Sequence, residues 1–288
     1  MKWAELREEE FDGVLEKTNG VCVIPVGCYE MHGQHLPVRT DVFEAEALCF
    51  AAEEVEPICV FPAFEFGDSS PLVRWSGAVR LEPKLMLRVL ENYCTEIARH
   101  GFNKIVLVNF HGGNVPFLEY FMSAINYKQR EFTVLSCFPA AQFNDIVDTL
   151  NREGDDAFPE LLPEDVAALR DYVENKRLGG HGDLMETSMM LAIRPDLVRM
   201  DRLGAVDGHS TKKTDKMKEA GLINSRAMWD IDFPNTYSAD DPYNASDRIG
   251  KLFIRLGGEI LANACRVFKE DYAVCQERID VKRKFYPN

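Results

Sequence analysis

The chain has 288 residues, of which 46% are hydrophobic, and its 33 basic and 47 acidic side chains give a net charge of −14. This length allows one large domain or two ordinary ones with a sizeable core, while the acidic balance argues against nucleic acid or a membrane surface as the main partner. The start of the chain has no signal-peptide pattern and no apolar run reaches bilayer length, which predicts a cytoplasmic protein.

Short apolar segments alternate with longer amphipathic ones along most of the chain. The predicted strands cover residues 21–26, 58–61, 104–109 and 132–137. The predicted helices cover residues 42–54, 82–100, 115–129, 186–193 and 248–268. Continuous apolar strands separated by helices are typical of a parallel sheet covered on both faces. The sequence therefore predicts an α/β fold, a three-layer α/β/α arrangement with a mostly parallel central sheet.

Two segments depart from this alternation. Residues 140–178 are polar and acidic, with residues 155–159 breaking two predicted helices, and residues 201–240 are irregular and rich in glycine. We interpret both as excursions on one domain that covers residues 1–288. Long excursions are often lids or subunit contacts, and surface decoration explains them equally well.

Four of the six histidines lie in three glycine-flanked clusters. The clusters span residues 30–37 with Asp41 close behind, residues 111–114, and residues 181–186. The first two follow predicted strands, and the carboxyl ends of parallel strands are where open α/β sheets bind ligands. Imidazoles and carboxylates together, without a thiolate, are the ligands of hydrolytic divalent-metal sites. The clusters therefore predict a metalloenzyme.

Individual members of the clusters each allow a second interpretation. Glu30 and His32 are two residues apart, so in an extended segment both side chains point the same way and can bind one ion each or share one. Their alternatives are a surface carboxylate and a satisfied loop histidine. His111 is a candidate ligand or a helix-entry histidine. His181 follows two glycines on a mobile or tightly turned loop, which suits proton transfer, but a solvent-exposed loop histidine fits as well.

Several neighbouring residues have structural interpretations. Asp41 lies at the start of a predicted helix, where it could cap backbone amides, and Asn114 is a candidate N-cap for the helix at 115–129. Glu186 begins a helix, and Asp183 is a candidate helix-start carboxylate. His35 is either a ligand or a residue that fixes the loop.

Eight cysteines occur without a C-x-x-C pair, which predicts reduced, mostly buried thiols. Cys28 differs from the others because it lies at a strand end beside the first cluster, where a nucleophilic role is the alternative. His100 ends a predicted helix and is interpreted as structural, while His209 is expected to be exposed.

Four motifs resemble those of the creatininase (creatinine amidohydrolase) family, and they occur in the family's order. Residues 24–41 resemble its P-x-G-S-x-E-Q-H-G-P-H-L-P signature followed by T-D, and residues 108–114 resemble N-G-H-G-G-N. Residues 181–188 resemble H-A-G-x-x-E-T-S, and residues 241–250 resemble D-P-x-x-A-S with its following glycine. The match covers nearly the whole chain.

The resemblance implies a compact α/β/α fold, frequent assembly as a hexamer, and hydrolysis of non-peptide C–N bonds by two divalent ions, commonly zinc with manganese, iron or a second zinc. It implies metal roles for Glu30, His32, Asp41 and His111, with Asp41 as the bridge, Glu186 as the fifth ligand, and His181 as an acid/base group. We therefore expect a homo-oligomeric amidohydrolase that uses a metal-activated water on a small-molecule amide, cyclic amide or formamide.

The departures from the family pattern concern specificity. Cys28 replaces the usual serine, Met31 the glutamine and Gln34 the proline. Gly113 stands where authentic creatininase has a second-metal carboxylate, so the resemblance assigns that role to Glu186. No tryptophan falls between residues 76 and 228, which predicts a site without creatininase's aromatic enclosure and poor turnover of creatinine. A two-metal phosphoesterase and a non-catalytic metal-binding assembly protein are the alternative functions.

Overall fold

The central sheet brings two strand ends to one edge. The computed structural model describes residues 1–69, 72, 75–222 and 228–285. Within them one parallel sheet contains β1 (Val21–Val26), β2 (Cys59–Val60), β3 (Lys104–Asn109) and β4 (Thr133–Cys137), in the order β2-β1-β3-β4. β1 and β3 pair along their whole length, from Val21 opposite Lys104 to Val26 opposite Asn109. Because of this register, the residues that follow the two strands emerge side by side.

Helices precede, separate and follow the strands. They are α1 (Phe11–Thr18), α2 (Thr40–Val55), α3 (Pro83–Arg99), α4 (Asn114–Ile125), α5 (Phe143–Glu153), α6 (Pro163–Glu174), α7 (Leu184–Ile193), α8 (Asp215–Glu219), α9 (Trp229–Asp232), α10 (Asp247–Glu270) and α11 (Tyr272–Phe285).

Alternate residues of the strands face different helical layers. Ile24 of β1 and Leu107 of β3 pack with α3 and α4 in one apolar cluster. Val23 and Val106 face the other side and pack with α2 and α10. This alternation follows from the two-residue period of a strand, and it buries both faces of the sheet. The predicted α/β fold with three layers and a parallel central sheet is confirmed.

The segment at 140–178 packs onto the core. Its helices α5 and α6 share an apolar cluster with α7 and α10, through residues such as Ile146, Leu169 and Phe253. The two helices predicted on either side of residues 155–159 are therefore present, and their apolar faces are buried against α7 and α10.

Four helices, α1, α8, α9 and α11, were missed from the sequence pattern, and some boundaries differ. α1 buries only Val14 and Thr18, and α11 buries only Ile279, so neither has the repeated apolar face that predicts a helix. β2 is shorter than predicted, and beside it the backbone N–H of Val60 donates a hydrogen bond to the carbonyl of Met1.

Across the described ranges, none of the helices combines the length and the apolarity that crossing a membrane requires.

Candidate metal centre

The five predicted metal ligands meet at the carboxyl edge of the sheet. Glu30 and His32 follow β1, His111 follows β3, and Asp41 and Glu186 lie in the first turns of α2 and α7. Each of the five is at most 7% exposed. The structure thus brings together residues that are separated by up to 156 positions in the chain.

Asp41 lies between two groups of candidate ligands. Its Oδ1 is 3.1 Å from Nε2 of His32, and its Oδ2 is 3.3 Å from Nδ1 of His111. Glu30 Oε1 lies 3.1 Å from the same His111 nitrogen, and Glu186 Oε2 lies 3.8 Å from the His32 nitrogen. The ligand atoms of Glu30, Asp41 and His111 lie within 4.8 Å of one another, as do those of His32, Asp41 and Glu186.

Backbone carbonyls orient three imidazoles towards this cluster. His32 donates from Nδ1 to the Glu30 carbonyl at 3.3 Å, His111 from Nε2 to the Asp68 carbonyl at 2.9 Å, and His181 from Nε2 to the Met31 carbonyl at 2.7 Å. In each ring the other nitrogen faces the carboxylates. Metal-binding histidines are commonly held by this second hydrogen bond, so the donor set fits divalent ions.

The electrostatics of the cluster favour the binding of positive charge. Burial alone would lower the pKa of His32, but the carboxylates of Asp41 and Glu186 outweigh it and raise the pKa to about 9. Burial alone would also lower the pKa of His111, but the neighbouring Cys28, Glu30 and Asp41 outweigh it and raise that pKa. Burial raises the pKa of Glu186 to about 8. Three carboxylates that share two imidazoles in a buried site favour bound positive charge, either protons or cations.

His181 is buried beside the cluster. Its ring stacks on His32 with centroids 4.1 Å apart, its Nδ1 is 3.6 Å from Glu30 Oε1, and only 8% of the residue is exposed. Gly180 and Gly182 have φ of +112° and +75°, so the tight turn is present. Burial, followed by the charge of His32, lowers the pKa of His181 to about 4. The solvent-exposed alternative is wrong, and Nδ1 is placed either to accept a proton or to bind an ion.

Two predicted capping roles are wrong. α2 has Arg39 at its N-cap and no side-chain cap, because the Asp41 carboxylate faces the two histidines. α4 begins at Asn114, whose amide bonds the backbone N–H of Asp68 and the side chain of Asn109. Asp183 does cap α7, where it accepts from the N–H groups of Met185 and Glu186.

The remaining histidines lie outside the cluster. His35 is buried and bonds the hydroxyl of Thr187 at 2.9 Å, which favours its loop-fixing interpretation. His100 packs against Trp3 and Phe11. His209 has a side chain that is 66% exposed, as expected.

A cavity of about 400 Å³ opens above the cluster. Glu30, His111 and His181 line its floor, and Lys218, Trp229, Phe233 and Ser238 line a wall that comes from residues 201–240. Ser238 donates its backbone N–H to the His181 carbonyl at 3.0 Å, so this segment is joined directly to the floor.

Comparison with known proteins identifies the family. A family model for creatininase, described as creatinine amidohydrolase, matches residues 4–265. The chain belongs to the creatininase family. It is 27% identical to creatinine amidohydrolase from Pseudomonas putida over 214 residues, which are 69% of this chain and 74% of that protein. It is 30% identical to mycofactocin precursor peptide peptidase from Mycolicibacterium smegmatis over 121 residues, 40% of this chain and 49% of the relative.

Solved creatininases share the fold. One described as the Mn form matches with a TM-score of 0.67 at 22% identity and covers 93% of this chain and 98% of that chain. A mutant creatininase of the Zn–Zn type matches with a TM-score of 0.66 at 23% identity and covers 93% and 97%. The resemblance read from the four motifs is confirmed, and members of this family are hydrolases.

This creatininase-family chain has no space for a carboxylate at position 113. A Cβ added to Gly113 would lie 2.3 Å from Nε2 of His111 and 2.7 Å from the Asp68 carbonyl. Glu186 instead brings its carboxylate to His32 from α7. The use of Glu186 in place of position 113 stays a prediction.

The expectation of a site without aromatic enclosure is wrong. Trp229 lines the cavity with its ring edge-on to His181, at 4.9 Å between centroids and 79° between planes. Phe233 stacks on Trp229 at 5.1 Å. The absence of tryptophan between residues 76 and 228 did not exclude one from the site, because residues 229–238 fold back over the cluster. The spacing of Trp229 and Phe233, four residues apart in a polar segment, was the available signal.

Glu44 was also missed. It lies one turn beyond Asp41 in α2, is completely buried, and its two carboxyl oxygens have no hydrogen-bond partner in the described part of the chain. Burial and the nearby charges of Glu186 and Asp41 raise its pKa well above the usual value. These surroundings favour the neutral acid, and nothing in its sequence context distinguishes Glu44 from a surface glutamate.

Proposed function

We propose that this chain is a metal-dependent amidohydrolase that cleaves the C–N bond of a small amide, cyclic amide or formamide. The observation that carries the proposal is the position of Asp41, whose two oxygens face two separate groups of buried ligands. A carboxylate shared in this way is suited to bridge two cations.

Five residues would hold the ions. Glu30, Asp41 and His111 form one set, and His32, Asp41 and Glu186 form the other. When bound, a pair of divalent ions would make a water more acidic and polarise the substrate carbonyl. Zinc with manganese, iron or a second zinc suits imidazole and carboxylate ligands, and solved relatives are described as Zn–Zn and Mn forms.

The chain's own residues supply proton transfer and enclosure. Because Nε2 of His181 donates to the Met31 carbonyl, its Nδ1 is the nitrogen available to take a proton and deliver it to the leaving nitrogen. Trp229 and Phe233 offer a flat apolar wall on which a planar amide can pack and from which water is excluded. Since this wall includes a tryptophan, creatinine is among the candidate substrates.

A short peptide is a second candidate substrate. The 30% identity to a mycofactocin precursor peptide peptidase favours it, although the match spans about half of that relative. A cavity of about 400 Å³ has room for a small cyclic amide or for the end of a peptide. Whether the chain cleaves only non-peptide bonds is tested by the screen below.

Assembly as a homo-oligomer stays a prediction, which light scattering can check.

One screen tests these alternatives. The metal-loaded protein is incubated with creatinine, hydantoin, formamide, short peptides and p-nitrophenyl phosphate, and products are measured by mass spectrometry against a Glu30→Ala control. Hydrolysis of an amide by the parent protein alone supports the proposal. Hydrolysis of the phosphate alone indicates the phosphoesterase, and metal binding without any turnover indicates a non-catalytic protein.

A further inference from the structure

Cys28 differs in its surroundings from every other cysteine of the chain. The other seven belong to, or pack against, apolar clusters around the sheet, whereas Cys28 is in none of the three clusters. It is completely buried two residues beyond β1, and its Sγ lies 3.1 Å from Oδ2 of Asp41. A packing role common to the other cysteines therefore does not explain this thiol.

The thiol lies on one side of the metal centre only. Oδ2 of Asp41 is also the oxygen that faces His111, so Cys28 joins the group of Glu30, Asp41 and His111. The ligand atoms of all four residues lie within 4.8 Å of one another, and all four are buried. The second group, with His32 and Glu186, has three members and no sulfur.

We propose that Cys28 binds, as a thiolate, the ion that Glu30, Asp41 and His111 hold, and that it makes this position selective for zinc over manganese. The inference rests on the metal centre of the proposed function. Binding breaks the S–H bond, forms a sulfur–metal bond and releases the proton to solvent. Thiolate is a soft ligand that favours zinc, while manganese favours oxygen ligands.

The number of protein ligands would distinguish the two metal positions. The position with Cys28 would have four, and the position with His32 and Glu186 would have three. A zinc ion with four protein ligands is coordinatively complete, whereas three ligands leave a position open. His32, Asp41 and Glu186 would then form the position open to water or substrate. At position 28 the family signature commonly has a serine, whose side chain ends in an oxygen. The sulfur of Cys28 is therefore a departure of this chain from the signature.

Cobalt substitution tests the proposal by spectroscopy. The native ions are removed with a chelator, and Co²⁺ is added to the full-length protein. We expect visible bands of bound Co²⁺ together with a near-ultraviolet thiolate-to-cobalt charge-transfer band. Cys28→Ser should keep the visible bands and lose the ultraviolet band, while Cys49→Ala, a buried cysteine on the sheet face of α2, should keep both.

Zinc selectivity and X-ray absorption provide independent measurements. Cys28→Ser should lower the preference for zinc over manganese by at least about 10-fold, since even supporting residues change metal affinity by that factor. If the variant does not fold, X-ray absorption of the zinc-loaded parent protein decides, with one sulfur expected at about 2.3 Å. Bound Co²⁺ without the charge-transfer band, or zinc without a sulfur neighbour, overturns the role of Cys28 and leaves the proposed function intact. Failure to bind Co²⁺ at all overturns both.

Discussion

The floor and the wall of the cavity come from different parts of the chain and differ in their side chains. The floor consists of Glu30, His111 and His181, and beneath it lie the other candidate ligands His32, Asp41 and Glu186. The wall consists of Lys218, Trp229, Phe233 and Ser238, all from residues 201–240. In the proposed function, the floor would hold the ions and the wall would contact the substrate. Chemistry and specificity would then be carried by separate parts of the chain.

This separation predicts that the two regions fail differently when mutated. Changes in the floor should remove ions or proton transfer and abolish turnover on every substrate. Changes in the wall should alter the preference among substrates while the ions stay bound.

Asp41→Asn should have the largest effect. The change keeps the shape of the side chain but removes the charge that faces both His32 and His111, so we expect loss of both ions and turnover at the background rate. Metal analysis and the amide assay on the same preparation provide the measurement. Glu54→Gln, on the exposed side of α2, is the control. An Asn variant with two tightly bound ions would show that Asp41 does not bridge them.

His181→Ala should lower turnover by about 10²–10⁴-fold, the usual effect of losing an acid/base group, while both ions remain. Glu186→Ala should lose an ion as well as activity. Metal stoichiometry and single-turnover rates are measured on both variants, with the exposed His209→Ala as control. Because Nδ1 of His181 lies 3.6 Å from Glu30, a ligand role is the competing possibility. Loss of an ion from His181→Ala would establish that role and refute proton transfer as its only function.

The floor could be predicted because its signals are local. A histidine or carboxylate directly after an apolar strand, next to glycine, is visible in a few consecutive residues, and parallel pairing then brings such residues together. The alternation of apolar segments likewise predicted β1, β3 and the helices that bury a broad face.

The wall and the immediate neighbours of the ligands could not be predicted in the same way. Trp229 lies beside His181 in a segment that a backbone bridge joins to the floor. The bridge pairs Ser238 with His181, which are 57 positions apart. Asp41 and Asn114 looked like helix caps, but their side chains turn towards the cluster and the Asn109 loop. Local capping preference yields to tertiary hydrogen bonding at both positions.

Trp229→Ala should weaken substrate binding more than it slows chemistry. An aromatic contact contributes about 0.5–1.5 kcal/mol beyond its buried area, which corresponds to a rise in KM of roughly 2- to 12-fold. Trp229→Phe should restore most of the loss because it keeps a ring against Phe233. Steady-state kinetics on a cyclic amide and on a short peptide measure both variants. Equal losses on all substrates, together with a lost ion, would mean that Trp229 supports the floor through His181 and does not select substrates.

Glu44→Gln should have the smallest effect on turnover and a measurable effect on stability. Glu44 lies beneath the floor, where burial and nearby charges favour the neutral acid and raise its folded-state pKa above its unfolded value. As the pH rises past the unfolded pKa, the unfolded chain loses a proton that the folded chain keeps, and stability falls by roughly 1 kcal/mol per pH unit until the folded pKa is reached. Glutamine has nearly the same shape as the neutral acid, and its amide does not ionise in this pH range. The stability advantage of the variant should therefore grow with pH, while Glu54→Gln should show no such growth. Urea unfolding of the metal-loaded proteins from pH 5 to 8 measures the difference. A constant difference across this range would mean that Glu44 is ionised in the folded protein and has a cation beside it, which would extend the charged floor one turn further along α2.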